Sequence, residues 1–127
     1  MMKKQLVSSG AKWEDMFGYS RAVKIGNLIE VSGTASVDGG KIIGLNDVYA
    51  QTKFIIKKIE KALKEAGATL NDVIRTRIYV TDIRHQNEVG KAHAEFFGEI
   101  KPATSMIEVK ALVLPELLVE IEATAFL

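Results

Sequence analysis

The chain has 127 residues, of which 47% are apolar, and it contains no cysteine. This length and composition are typical of one domain, residues 1–127, with one core, and the absence of thiols excludes disulfide bonds, a cysteine nucleophile and cysteine-based zinc sites. The formal net charge is +1, so no long-range field attracts a phosphate backbone and we expect no nucleic-acid partner. No apolar run reaches membrane-spanning length, so we expect no membrane partner and a cytoplasmic location.

The first half of the chain predicts a β-hairpin and then a long helix. Residues 20–34 form two β-branched and aliphatic runs separated by Gly26-Asn27, a pair that tolerates the positive φ of a tight turn. Asp38-Gly39-Gly40 marks the next reversal. From Asn46 the apolar residues recur at intervals of three and four, with Asn46 or Asp47 as the N-cap and Gly67 as the terminator.

The second half predicts a strand, a shorter helix and two further strands. Residues 72–81 have strand composition, and a helix fits residues 85–97, with inward side chains at Val89, Ala92 and Phe96. Two strands joined at Pro115 follow. The order of elements predicts an α+β fold with the helices covering one face of the sheet.

Period-two alternation divides each predicted strand into two faces. The helix-facing set is predicted to be Ile29, Val31, Gly33, Ile74, Thr76, Ile78, Val80, Ile107, Val109, Ala111, Val119, Ile121 and Ala123. The opposite set comprises Glu30, Ser32, Thr34, Arg75, Arg77, Tyr79, Met106, Glu108, Lys110, Glu120, Glu122 and Thr124. A face of paired acids and bases is either solvated or an interface where charges pair between subunits, and the pattern leaves both readings open.

An ordered set of motifs carries a resemblance to a known family. The segments GYSRAVKIGNLIEVSGTASVDG (18–39) and AQTKFIIKKIEKALKEAGATLNDVIRTRIYVTD (50–82), with PAT and the closing VEIEATAF, span nearly the whole chain. The chain resembles the reactive-intermediate deaminases, also called the Rid, YjgF-like or endoribonuclease L-PSP family. The resemblance implies a chorismate-mutase-like fold in a homotrimer, with a central β-barrel and small-molecule clefts between neighbouring subunits.

The resemblance also implies a set of site residues. Active relatives hydrolyse 2-imino acids to 2-keto acids and ammonia, without a metal or cofactor. Glu120 matches the glutamate associated with the catalytic water, and the substrate-binding positions fall on Tyr19, Ser32, Gly33, Thr104 and Met106.

Thr104 departs from the family pattern. It stands where the family has an arginine that binds the substrate carboxylate, and Met106 stands where a cysteine is frequent. An arginine fork makes two charge-assisted hydrogen bonds, of roughly 1.5–3 kcal/mol each, so threonine is expected to lower carboxylate affinity by on the order of a hundredfold. The chain is thus expected to belong to a side branch of the family that lacks the arginine.

Each candidate residue also has a structural interpretation. Glu120 fits a water-orienting base or an ion pair with Arg75 or Arg77, and Arg77 is also a speculative replacement for the missing arginine. His85 and His93 would lie about 12 Å apart along one helix, too far to share a metal ion. We interpret both histidines as surface or partly buried helix residues.

Two functions therefore remain open. One is an enzyme that hydrolyses an imine, enamine or related small carbonyl compound, with Glu120 holding the water. The other is a non-catalytic trimeric protein that binds a metabolite or has a regulatory role.

Overall fold

The computed structural model describes residues 3–127, which fold around one six-stranded sheet. The strands in chain order are β1 (Lys4–Val7), β2 (Ala22–Ile25), β3 (Leu28–Ala35), β6 (Val73–Val80), β7 (Ala103–Glu108) and β8 (Val119–Phe126). Two further strands, β4 (Val37–Asp38) and β5 (Lys41–Ile42), form a separate two-stranded ribbon. The helices are α1 (Lys12–Phe17), α2 (Val48–Glu65) and α3 (Gln86–Phe97). The predicted α+β class is confirmed.

The order across the sheet is β1-β2-β3-β8-β6-β7. Only the β6–β7 pair is parallel, and the other neighbouring strands are antiparallel. The two closing strands therefore do not pair with each other, because β6 lies between them. Residues 109–118, including Pro115, form the connection that carries the chain back over β6.

The predicted hairpin and both predicted helices are present. Ile25 pairs with Leu28 around a turn in which Gly26 has a φ of 57°. The carboxylate of Asp47 accepts a hydrogen bond from the backbone N–H of Ala50 at 3.0 Å and so caps α2. At the end of this helix, Gly67 has a φ of 86°.

Helices α2 and α3 cover one face of the sheet, which we call the helix face, and the opposite face is called the open face. Ile55, Ile59 and Leu63 of α2 are completely buried against the strands. On α3, Val89 and Ala92 are buried as predicted, but Phe97 is the deeply buried aromatic and Phe96 is only partly buried against the core. The alternation predicted for β8 is confirmed, since its alternate residues from Val119 to Ala125 are buried.

Two β-bulges overturn parts of the predicted alternation. The pairing of β3 with β8 shifts between Val31 and Thr34, so Thr34 is buried on the helix face and Gly33 faces the open side, the reverse of the prediction. The pairing of β6 with β8 shifts between Val73 and Arg75. As a result Val73 is buried and Ile74 is 53% exposed.

The face assignment of β7 was also wrong. Met106 pairs with Ile78 and packs against the core, whereas Ile107 pairs with Tyr79 and is 48% exposed. Both residues are apolar, so the alternation alone could not set the register; the pairing with β6 does so. Val109 and Ala111 lie beyond the end of this strand.

Two N-terminal elements were not predicted. Strand β1 pairs with β2 at one edge of the sheet, and its Val7 is buried. Helix α1 carries Trp13 and Phe17, whose rings lie 6.4 Å apart. No helix among residues 3–127 combines the length and apolarity needed to cross a bilayer.

Candidate functional site

Glu120 lies on the open face of the central strand β8, between Ala35 of β3 and Tyr79 of β6. Its side chain is half-buried. Burial raises the pKa of this carboxyl, the charge of Arg21 opposes the rise, and the nearby charge of Glu122 adds to it. Glu120 is therefore a carboxylate of increased basicity, which suits the role of a proton acceptor for water.

The bulge in β3 provides the space that this carboxylate occupies. A β-carbon built on Gly33 would lie 3.1 Å from the carboxyl carbon of Glu120 and closer still to one of its oxygens. Only glycine fits there without displacing Glu120. The adjacent Ser32 donates its hydroxyl hydrogen to the backbone oxygen of Ser20 at 2.6 Å, which fixes its side chain at this end of the strand.

Arg21 is a buried cation beside Glu120 that the sequence reasoning missed. It is 6% exposed and donates from Nη2 to the backbone oxygen of Gly33 at 2.5 Å. Its Nε is buried without a hydrogen-bond partner. Burial lowers the pKa of the guanidinium, while Tyr19, Glu14 and Glu120 act in the opposite direction.

The signal for Arg21 was present in the sequence. Arg21 lies within the predicted hairpin, directly before Ala22, the first residue of β2. In the structure Ala22 is fully buried. A cation that is buried next to aliphatic residues needs nearby carboxylates to compensate its charge. The fold supplies Glu14 from α1 and Glu120 from β8.

Tyr19 is placed next to Arg21 by the turn that ends α1. The guanidinium carbon of Arg21 lies 5.8 Å from the centre of the Tyr19 ring, within the range of a cation–π interaction. Tyr19 is 37% exposed, and its backbone N–H donates to the carbonyl of Glu14 at 2.9 Å. Its ring therefore lies at the surface of the charged group formed by Arg21 and Glu120.

Glu14 is a second buried carboxylate associated with Arg21. It accepts hydrogen bonds from the hydroxyl of Ser8 at 2.9 Å and from the backbone N–H and hydroxyl of Ser9. Burial alone would raise the pKa of Glu14, but these hydrogen bonds and the charge of Arg21 more than offset it, so its pKa is lowered. Glu14 is ionised at neutral pH and helps to compensate the buried charge of Arg21.

Thr104 and Met106 lie on the other side of the sheet from Glu120. Thr104 pairs with the buried Thr76 on the helix face, and their hydroxyl oxygens are 2.7 Å apart. The Thr104 hydroxyl is also 3.2 Å from the backbone oxygen of Pro102. One chain thus brings together Tyr19, Ser32, Gly33 and Glu120, but not Thr104 or Met106.

The two candidate ion pairs of Glu120 are not formed within the described chain. Arg77 lies 3.8 Å from Glu122, which also accepts a hydrogen bond from the hydroxyl of Tyr79 at 3.0 Å. Arg75 donates to the hydroxyl of Ser105 at 2.8 Å. Arg77 and Glu122 instead line a cavity of about 300 Å³ on the open face, together with Glu30 and Ser32.

The histidines and the glycine-rich turn match their structural interpretations. His85 is at the start of α3 and His93 is half-buried, with its Nε2 2.9 Å from the hydroxyl of Thr76. Asp38-Gly39-Gly40 forms the turn between β4 and β5. Among residues 3–127, no group of three or more histidine or acidic side chains is placed to hold a metal ion.

The fold and the site together define a small α+β domain with a half-buried carboxylate on an otherwise open sheet face. The sequence profile of the Endoribonuclease L-PSP family matches residues 10–127. The chain therefore belongs to this family, whose members are also called Rid or YjgF-like proteins.

Named relatives and solved structures agree with this assignment. A RutC family protein of Pyrococcus abyssi is 36% identical and the 3-aminoacrylate deaminase RutC of Acinetobacter baylyi is 30% identical, each over 98% of both chains. Rv2704 of Mycobacterium tuberculosis, a member of the YjgF/YER057c/UK114 family, superposes with a TM-score of 0.91 at 53% identity, covering 98% of this chain and 100% of its own. YyfA of Yersinia pestis, from the Rid family, gives 0.87 at 30% identity, with coverage of 98% and 100%.

Proposed function

We propose that this protein hydrolyses a small imine or enamine at clefts formed between the subunits of a homotrimer, with Glu120 as the base. The observation that carries the proposal is the Glu120 carboxylate, which is half-buried and lies against Gly33. Burial raises the pKa of this carboxyl. A relative at 30% identity, RutC of A. baylyi, is a 3-aminoacrylate deaminase. Its named substrate is an enamine, which is the chemistry proposed here.

The proposed reaction needs only water and a proton acceptor. Glu120 takes a proton from water as the oxygen attacks the C=N carbon of the imine and returns it to the nitrogen, which gives a carbinolamine. Glu120 then takes the proton of the carbinolamine hydroxyl and passes it to the nitrogen as the C–N bond breaks, so that a carbonyl compound and ammonia leave. A carboxyl of raised pKa suits both steps because its basicity and its acidity are closer to balance near neutral pH.

The separation of the site residues supports assembly from several copies. Thr104 and Met106 lie on the helix face of the edge strand, whereas Glu120 lies on the open face. In one chain a ligand cannot contact both groups, so a shared cleft requires a second copy. We propose that β7 of one subunit lies beside Tyr19 and Glu120 of its neighbour.

The open face has the composition expected of a subunit interface. One end of it carries exposed apolar residues, including the cross-strand pair Leu28 and Phe126, which are 37% and 55% exposed. Next to them along the strands lie Arg75, which is opposite Thr124 and whose Nε is buried without a partner, and then the Arg77–Glu122 pair. Apolar groups of this kind are stabilised when a neighbouring subunit covers them, and the charged groups can then pair with charges of that subunit, as we propose for a central barrel of the trimer.

A second candidate is a trimeric protein that binds a small metabolite, or has a regulatory role, without catalysis. The observation that favours it is Thr104, whose hydroxyl is already hydrogen-bonded within its own chain and carries no charge. A carboxylate ligand would meet a weaker anchor there than a guanidinium provides.

The decisive experiment generates 2-iminobutyrate in solution and follows its decay with the wild type, Glu120→Gln, Glu120→Ala and Thr104→Arg. Glu120→Gln keeps the shape of the side chain and removes its basicity, so it tests the base directly. The hydrolase proposal expects acceleration by the wild type and its loss in both Glu120 variants. No acceleration by the wild type, with activity gained in Thr104→Arg, would sink the deaminase proposal for 2-imino acids and favour the binding role.

A further inference from the structure

Three side chains from three different elements are joined in a continuous series of hydrogen bonds that ends at Thr104. His93 of α3 places Nε2 2.9 Å from the hydroxyl of Thr76, and this hydroxyl is 2.7 Å from that of Thr104. Thr76 is completely buried, and the ring of His93 packs against Phe97 with their centres 4.6 Å apart. The reaction proposed above uses neither His93 nor Thr76.

The positions of the hydrogens along this series of side chains fix the direction of its hydrogen bonds. Each threonine hydroxyl has one hydrogen to donate, and each nitrogen of a neutral imidazole is either a donor or an acceptor. If Nε2 of His93 carries a hydrogen, it donates to Thr76 and Thr76 donates to Thr104. The hydroxyl hydrogen of Thr104 then points away from Thr76.

The opposite direction follows when Nε2 has no hydrogen. Thr76 then donates to His93, and Thr104 donates to Thr76. In this state the Thr104 hydroxyl offers a ligand only a lone pair. In the first state its hydrogen is directed to the backbone oxygen of Pro102 across a longer gap of 3.2 Å, from which a ligand oxygen can divert it.

A neutral His93 gives the first state as its Nε2–H tautomer and the second as its Nδ1–H tautomer, and protonation selects the first state because both nitrogens of an imidazolium are donors. Burial lowers the pKa of His93 and is the sole cause of that shift. Arg75 and Arg77 of β6 alternate with Thr76 and so lie on the opposite face of the sheet. Four ionisable side chains of α2 and α3 contact one another, namely Tyr49, Lys53, Lys91 and Glu95.

We infer that His93 controls, through Thr76, whether Thr104 donates a hydrogen bond to the ligand, so that binding of a carboxylate at Thr104 is coupled to proton uptake by His93. The inference rests on the proposed cleft at Thr104. The imidazolium also brings a positive charge to the side of the sheet where Thr104 stands. Carboxylate binding would therefore depend on pH at the position where the family's arginine is constitutively charged.

The test uses pyruvate as the carboxylate probe and compares Thr76→Ser with Thr76→Val. Serine keeps the middle hydroxyl, whereas valine has the same shape as threonine but cannot relay a hydrogen bond. Pyruvate affinity is measured by calorimetry from about pH 8 to about pH 5.5, across the ordinary range of histidine, while NMR follows the ring of His93. We expect affinity to rise about tenfold towards low pH in the wild type and in Thr76→Ser, the size of one hydrogen bond to a charged group.

In Thr76→Val this His93-dependent rise should disappear, and pyruvate should no longer raise the pKa of His93. Protonation of Glu120 also favours an anion at low pH, but Thr76→Val leaves Glu120 unchanged, so the difference between the two variants isolates the relay. An equal pH dependence in Thr76→Val and Thr76→Ser would overturn the inference while leaving the proposed cleft intact.

Thr104→Arg separates this failure from that of the proposed function. Binding of pyruvate to Thr104→Arg alone would retain the cleft and overturn the inference, because Thr104 itself would then not take a carboxylate. Binding to none of the proteins, Thr104→Arg included, would overturn both. Thermal unfolding of each variant checks that the buried position 76 still folds.

Discussion

Gly33 on β3 and Glu120 on β8 approach each other so closely on the open face that no β-carbon fits between them. The absence of a side chain at Gly33 leaves room for the carboxylate at this place on the sheet. We expect Gly33→Ala to displace Glu120 and to lower activity, or ligand affinity for a binding protein, by about tenfold or more, since small displacements of a catalytic group cost about this much.

The matched control is Gly90→Ala on α3. A β-carbon at Gly90 meets no atom within 4 Å, so this change should leave activity unaltered and raise stability by about 0.5–1 kcal/mol through helix propensity. Unaltered activity in both alanine variants would show that the Gly33–Glu120 contact has no functional role.

Arg21 is expected to set the pH at which Glu120 loses its charge. Its positive charge opposes the rise in the pKa of Glu120 that burial causes, so Arg21→Met should raise this pKa further. A base works only when deprotonated, so the acid limb of the pH–rate profile should move to higher pH. Carboxyl ¹³C NMR of Glu120 measures the same shift without a substrate.

Arg84→Met provides the comparison for this experiment. Arg84 pairs with Asp82 in an exposed turn, 2.8 Å away, and should not affect Glu120. A pH profile that stays in place in Arg21→Met would mean that the buried guanidinium does not act on the base.

Gln51 is expected to be among the polar residues most important for stability. Its completely buried amide donates to the backbone oxygens of Gly44 and Glu116, each at 3.1 Å, and accepts from the N–H of Leu118 at 2.9 Å. Gln51→Leu removes all three hydrogen bonds and leaves the Glu116 carbonyl and the Leu118 N–H unpaired, since Gly44 still accepts from the N–H of Asp47, so we expect a loss of about 2–4 kcal/mol in the free energy of unfolding.

Urea denaturation measures this loss, and Gln86→Leu, at an exposed position of α3, is the control. The control should change the free energy of unfolding by no more than about 0.5 kcal/mol. If Gln51→Leu changes the free energy of unfolding as little as the control does, water or rearranged loops must form hydrogen bonds with the backbone groups that Gln51 no longer pairs.

His93 and Glu120 are expected to affect stability with opposite signs as the pH falls. Burial lowers the pKa of His93 below its ordinary 6.5, so the unfolded chain binds the proton more tightly and stability is lost as the pH falls below 6.5 towards the lowered value. The pKa of Glu120 is raised above 4.5, so the folded chain gains stability as the pH falls through that raised value towards 4.5.

Thermal unfolding between about pH 8 and about pH 4 separates the two contributions. His93→Gln should remove the loss below the ordinary histidine pKa, and Glu120→Gln should remove the gain at lower pH. If the stability of both variants depended on pH in the same way as that of the wild type, the assigned directions of the His93 and Glu120 pKa shifts would be contradicted.

The apolar end of the open face is expected to hold the subunits together. Sedimentation should give the mass of a trimer for the wild type and a smaller species for Phe126→Glu, because a charge would be buried beside Leu28 of the cross-strand pair. Leu45→Glu is the control, since Leu45 is equally exposed but precedes α2, away from the sheet. A wild type that sediments as a monomer at micromolar concentration would refute the trimer.

The helices, the hairpin and the central strand could be predicted because their patterns are local. The apolar period of α2, its Asp47 cap and the Gly26-Asn27 turn depend on residues close in sequence. In β8 the alternation holds from end to end because the extra residues of the two bulges lie on β3 and β6 and not on β8.

The errors arose where the pairing partner decides the face. The shifts after Val31 and after Val73 are properties of two strands together, and neither strand alone contains a signal for them. The face of β7 depends on its register with β6, which placed Met106 inside and Ile107 outside. Hence the sheet face of Glu120 was predicted correctly, whereas the position of Thr104 relative to Glu120 could not be predicted.

The position of β8 in the sheet has a consequence for how the protein is made. Residues 119–126 form the strand between β3 and β6, so until they have been synthesised the two parts of the sheet have no common neighbour. The nascent chain would expose the inner edges of β3 and β6 on the ribosome, and such edges pair readily with other chains. The sheet of this domain therefore cannot be completed until residues 119–126 have been synthesised.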